Sequence, residues 1–174
     1  MMEDITWKNT DRTGRRFDFE IGSQLLGRLT LFSELSSNAM FITNHDSIRF
    51  KRIGLWENKV LVQKNDVVVG EICNRVIGQT FLTVQNGSTF SLSSNFLGRN
   101  LKWLDSRGVP VVEYSMATLR SLRKGLIRTS DSLSREEKEI LLGAGLIAGR
   151  FNTYRLTFLI LALAFAANMI SKFI

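Results

Sequence analysis

Cysteine, histidine and proline each occur once, as Cys73, His45 and Pro110. One cysteine excludes a disulfide within the chain, and one cysteine with one histidine is too few for a zinc site of the usual kind. The start, Met1-Met2-Glu3-Asp4, has no apolar run behind a basic stretch, so no cleaved secretory leader is expected. Neither a Gly-x-x-x-x-Gly-Lys nor a Gly-x-Gly-x-x-Gly phosphate loop opens a helix after a strand. Carboxylates are scattered, so no metal is expected. His45-Asp46 sits in a polar turn and is read as a turn. Cys73 is read as an inert thiol rather than a low-pKa nucleophile. An enzyme is not expected on this inventory, and no cofactor is implied.

What the chain does have is apolar and basic. Its 174 residues are 44% hydrophobic and 22% charged, and its 23 lysines and arginines against 16 acids give a net charge of +7. That balance describes one folded domain with a surface favouring phosphates, on nucleic acid or on anionic lipid. No motif that alternates aromatic with basic residues appears, so nucleic acid is not expected as a partner.

Up to about Ser115 short apolar runs alternate with turn signals such as Gly22-Ser23, Asn44-His45-Asp46, Asn65-Asp66 and Asp105-Ser106-Arg107-Gly108. Their spacing predicts many short antiparallel strands. Asn86-Gly87 predicts a two-residue hairpin turn, with Thr83 opposite Phe90, Phe81 opposite Leu92, and these four residues inward. Ile48 and Phe50 alternate with Arg49 and Lys51, which places the two bases outside. Pro110 fits the start of a strand.

Beyond Ser115 the spacing turns helical. Leu119, Leu122, Leu126 and Ile127 predict a short amphipathic helix carrying Arg120, Arg123, Lys124 and Arg128. Ser134-Arg135-Glu136-Glu137 is a capping box opening a helix over 134–150. Its uncharged run 140–149 spans roughly 15 Å, too short for a bilayer, yet is apolar all round, so it should be buried on every side. Gly145 and Gly149 form a small-xxx-small pair suited to close packing. The region Leu156–Ser171 carries no charge. As a helix, 156–174 spans roughly 28 Å against a hydrocarbon core of ~30 Å. The segment 154–174 is therefore read as a C-terminal membrane anchor, the alternative being a helix buried in protein.

Three stretches, in order, resemble the tubby C-terminal-like superfamily, which includes tubby-like proteins, phospholipid scramblases and LURP-one-related proteins. Residues 138–147, Lys-Glu-Ile-Leu-Leu-Gly-Ala-Gly-Leu-Ile, resemble the scramblase core helix. Residues 76–86 resemble the family's glycine–strand–turn pattern. Residues 101–112 resemble its recurring strand–Asp-x-x-Gly–strand hairpin. The resemblance covers roughly 15–150 and implies a closed antiparallel barrel of about twelve strands around a hydrophobic central helix. The cysteine cluster of animal scramblases and an acidic calcium segment are absent, so calcium-triggered scrambling is not carried over.

The resulting expectation is a mainly β protein. A barrel domain over 1–150 is followed by a hydrophobic helix over 154–174, held on the cytoplasmic face of a membrane. Arg120, Arg123, Lys124, Arg128, Arg49 and Lys51 are the candidate contacts to anionic phospholipid. A membrane-protein partner or a second copy is a further candidate partner. The alternative is a scaffolding subunit whose apolar tail packs on partner chains, in a soluble setting.

Overall fold

A computed structural model describes residues 2–32, 38–53, 59–74, 79–94, 100–118 and 121–149. Arg120 and the segment 154–174 lie outside the described residues. Twelve strands run in order: β1 (Met2–Asn9), β2 (Arg16–Ile21), β3 (Gln24–Leu31), β4 (Ala39–Thr43), β5 (Ser47–Ile53), β6 (Lys59–Lys64), β7 (Val67–Asn74), β8 (Thr80–Val84), β9 (Thr89–Ser94), β10 (Asn100–Leu104), β11 (Pro110–Thr118) and β12 (Ser121–Ser130). Each strand pairs antiparallel with the next, and β1 pairs with β12, so the sheet closes into a barrel. Helix α1 covers residues 135–149.

Alternation drives this wall. On β5, Ile48 and Phe50 are buried while Arg49 and Lys51 are exposed, as their spacing predicts. Trp7, Phe17, Phe19, Phe41, Trp103 and Tyr114 are among the other large inward residues. Ile140, Leu141, Leu142, Ala144, Leu146, Ile147 and Ala148 of α1 are all buried, which leaves the helix beyond its first turn no solvent face. Strands enclose it. A Cβ on Gly143 would lie 2.7 Å from the Phe50 ring, and Tyr114 Oη donates to Leu141 O at 2.6 Å. The Asp105–Gly108 turn also forms as expected. Asp105 Oδ1 accepts from the Arg107 and Val109 amides, both at 2.9 Å, and Gly108 takes φ +79.

Two expectations are corrected. The stretch read as a basic amphipathic helix, 119–128, contributes most of strand β12. Ile127 pairs with Ile5 on one side and with Tyr114 on the other. The leucine spacing suits a helix, but β1 and β11 would each be left with an unpaired edge. The last strand satisfies both sets of backbone groups and closes the barrel. Gly125, poor in a helix, has a reason here. A Cβ would lie 2.5 Å from Ser115 O and 2.7 Å from Trp7 Nε1.

The second correction concerns the hairpin after β8. Val84 N bonds to Ser88 O and Gly87 N to Val84 O, both at 2.9 Å, enclosing a three-residue loop, Gln85–Gly87. Gly87, at φ +90, supplies the left-handed residue such a loop requires. One extra loop residue slips the pairing by one, to Leu82↔Phe90 and Thr80↔Leu92. A one-residue slip reverses the faces of β8. Leu82 and Val84 are buried, and Thr83 is exposed. The two-residue turn with both central φ values positive lies instead at Asn65 (φ 51) and Asp66 (φ 63).

Candidate functional site

The two ends of the barrel differ in charge. At one end, the mouth, α1 enters. Ser134 and Glu137 form the capping box: Ser134 Oγ accepts from the Glu137 amide at 3.3 Å, and Glu137 Oε2 accepts from the Ser134 amide at 2.9 Å. Glu137 Oε1 also accepts from Ser88 Oγ at 2.6 Å and Asn86 Nδ2 at 3.1 Å, which ties the helix start to the β8–β9 turn. Burial raises the pKa of this carboxyl, but the donors from Ser88, Asn86 and Ser134 outweigh it and hold it at about 2. Glu3, Asp46 and Glu136 stand at the same end, with Glu3 on Lys138, and Asp46 at 3.0 Å and Glu136 at 3.8 Å from Lys64. The Asp46 hydrogen bond raises the Lys64 pKa.

A cavity of ≈ 490 Å³ opens where β3, the β4–β5 turn and the first turns of α1 meet. Ile21, Leu25, Leu26 and Leu142 give it apolar walls, and Arg135, Lys138, Glu139, Glu3 and His45 line its polar side. Glu139, 6% exposed, accepts from Arg135 Nε at 3.1 Å. The terminal guanidinium nitrogens of Arg135 and the His45 ring have no partner among the described residues. The sequence reading missed this cavity. It is assembled from four separated stretches, and no local pattern in any of them signals it. The buried residues of α1 pack inside the barrel, and this cavity opens at its mouth.

At the other end the charge reverses. β1 runs from the mouth to Lys8, and the β1–β2 connection carries Arg12, Arg15 and Arg16. The Asp11 carboxylate organises this connection, accepting from the Arg15 amide at 2.9 Å and the Arg16 amide at 3.2 Å. β5 ends there and carries Lys51 two residues before its last, and β12, which begins there, carries Arg123 and Lys124. Lys8 stands directly opposite Lys124 in the ladder, a like-charge pairing that costs stability by itself. Lys8 reaches Glu20 at 2.6 Å, whereas Lys124 has no counter-ion among the described residues. Asp18 and Glu71 in this half are each engaged by a cation, Arg28 at 2.6 Å and Lys59 at 3.1 Å. A shallow groove of ≈ 470 Å³ lies over Lys8, Lys124, Gly125 and Leu126.

The five candidate lipid contacts among the described residues are spread widely. Arg123, Lys124 and Arg128 are on β12 and Arg49 and Lys51 on β5, with β1 to β4 between them one way and β6 to β11 the other. Along the barrel axis Lys51 and Lys124 nonetheless lie toward the same end. Arg128 is in the mouth half, 3.4 Å from Asp4. Lys8 was missed, although Ile5 and Trp7 alternating around Thr6 would have placed it outside. Gly145 packs on a strand rather than on a second helix: Tyr114 of β11 fills the space beside it. Gly149 is buried. Cys73 is partly exposed, and its thiol donates to Glu71 Oε1 at 2.7 Å.

No helix among the described residues is long and apolar enough to cross a membrane. No group of three or more metal-ligating side chains occurs among them. No protein-family model, no curated protein and no solved structure matches this chain.

Proposed function

We propose that this chain is a non-enzymatic barrel of the tubby-like and scramblase-like kind that stands end-on at an anionic membrane surface. The observation that carries the reading is the collection of Lys8, Arg12, Arg15, Arg16, Lys51 and Lys124 at the end of the barrel where α1 finishes. Residues on opposite sides of a barrel can face one plane only when that plane lies across the barrel's end. From that same end residue 149 leads on toward Leu156–Ser171, which holds no charge. Anionic headgroups attract each nearby lysine or arginine by about 1 kcal/mol. Insertion of 154–174 into the bilayer would add a hydrophobic hold. Twelve strands closed around one buried helix, the architecture that the tubby-like resemblance implies, support the same reading.

The test is flotation of the full chain with vesicles of neutral lipid or of neutral lipid plus phosphatidylglycerol. At low salt the anionic vesicles should recruit more protein, and the excess should vanish in high salt. Reversing Arg12, Lys51 and Lys124 to Glu should weaken the anionic preference by about 100-fold or more, from three contacts of about 1 kcal/mol each. Arg107→Glu, at the mouth, should leave it unchanged. Equal binding to both vesicles, or an Arg107→Glu effect as large as the triple variant's, would overturn the proposal.

A further inference from the structure

We infer that the mouth cavity binds a small amphiphilic carboxylate of the medium-chain fatty-acid type. Its volume, ≈ 490 Å³, falls within the ~300–1,000 Å³ range of small-molecule sites. Its walls divide the ligand in two. Ile21, Leu25, Leu26 and Leu142 offer one apolar side, suited to an alkyl chain.

The polar side favours an anion. The two carboxylates there are already engaged, Glu139 by Arg135 Nε at 3.1 Å and Glu3 by Lys138. The unused capacity is donor capacity. The terminal nitrogens of Arg135 have no partner among the described residues, and neither does the His45 ring. A guanidinium with its terminal nitrogens free presents the planar fork that matches a carboxylate. Arg135 is also the first residue of α1, where the helix dipole favours negative charge. Fixing Nε on Glu139 orients the fork before a ligand arrives, which lowers the ordering cost of binding.

The ligand class then follows from both halves together. An alkylamine would place a cation beside Arg135 and Lys138. An alcohol would leave the fork without an anion, and acetate would leave the leucine wall unfilled. This site lies at the end of the barrel opposite the basic one, so it stands or falls separately from membrane contact.

The experiment is calorimetric titration of the full chain with sodium octanoate, with octylamine, octanol and acetate as controls. Octanoate should bind at least about ten-fold more tightly than any control, the margin of one charge-assisted hydrogen bond. Arg135→Gln should remove that margin. Leu25→Ser, at a residue 41% exposed, should weaken octanoate several-fold by removing apolar wall while adding no charge near the fork. If Arg135→Gln does not fold, Leu25→Ser alone decides. Octanoate binding no tighter than octanol or octylamine would overturn the inference. So would octanoate binding that Leu25→Ser leaves intact.

Discussion

The ring of Tyr114 on β11 occupies the place a side chain at Gly145 would need. A Cβ on Gly145 would lie 2.2 Å from Cζ and 2.4 Å from Oη, and the hydroxyl donates to the carbonyls of Leu141 at 2.6 Å and Leu142 at 3.1 Å. The strand residue thus enters the helix surface and bonds to its backbone, which fixes both the depth and the rotation of α1. Burial pushes the phenol pKa well above its ordinary value, so the hydroxyl stays a donor across the accessible pH range.

Gly145→Ala should therefore destabilise the protein by at least about 1–3 kcal/mol, the cost of overpacking a filled core. Tyr114→Leu should also cost stability, through lost volume and the lost hydroxyl bond. Combined, the two should cost less than their sum, because the smaller side chain relieves the clash. Urea denaturation of the two single variants and the double variant checks this. Strict additivity would mean that the contact is not shared.

Gly125 offers a test of sign. In a helix interior Gly→Ala stabilises by about 0.8–1.0 kcal/mol. In β12 the same change drives a methyl against Ser115 O at 2.5 Å and the Trp7 indole at 2.7 Å. Gly125→Ala is expected to lower the melting temperature. A rise would restore the helical reading of this stretch.

Glu137 makes the helix start sensitive to acid. Its pKa falls from 4.5 to about 2, with hydrogen bonds from Ser88, Asn86 and Ser134 overcoming the opposing effect of burial. A lowered carboxyl pKa contributes stability above the unfolded value. That contribution is lost as pH falls from about 4.5 through about 2. Glu137→Gln should cost about 1–3 kcal/mol at pH 7, the range for bonds to a charged acceptor. The gap between variant and parent should narrow steadily below about pH 4.5. Melting curves at pH 7 and pH 3 decide it, since a constant gap would separate Glu137 from the acid response.

At Asp66 the chain holds a non-glycine residue at φ 63 in the second position of a two-residue turn, where glycine is favoured. Asp66→Gly should raise stability modestly, by up to about 1 kcal/mol. The same change at Asp46, which pairs with Lys64 at 3.0 Å, should lower it. Thermal melts of the two variants give the comparison.

Much of this barrel was legible because its signals are local. The capping box needs only Ser134 and Glu137, and the Arg49–Lys51 alternation only its own strand. What misled was context. Leu119, Leu122 and Leu126 keep a helical period, and only the need of β1 and β11 for a shared neighbour makes 121–130 a strand. Asn86-Gly87 marks a hairpin, but the loop length that sets its register depends on how Val84 and Ser88 bond across it. The mouth cavity had no local signature, and basic clusters such as Arg12, Arg15 and Arg16 are visible locally without showing that they share one end of the barrel. Residues far apart in sequence create them, and strand direction decides which end each basic residue reaches.

The direction of α1 also makes the barrel a spacer with a defined sense. Its fifteen residues, 135–149, rise about 22 Å from the mouth to the basic end. Whatever holds the chain just beyond residue 149 therefore keeps the cavity beside Arg135 pointed away from the point of attachment. If that attachment is a bilayer, the cavity opens to the aqueous side, about a barrel's height above the headgroups. A ligand taken up there would come from solution rather than from the lipid layer beneath.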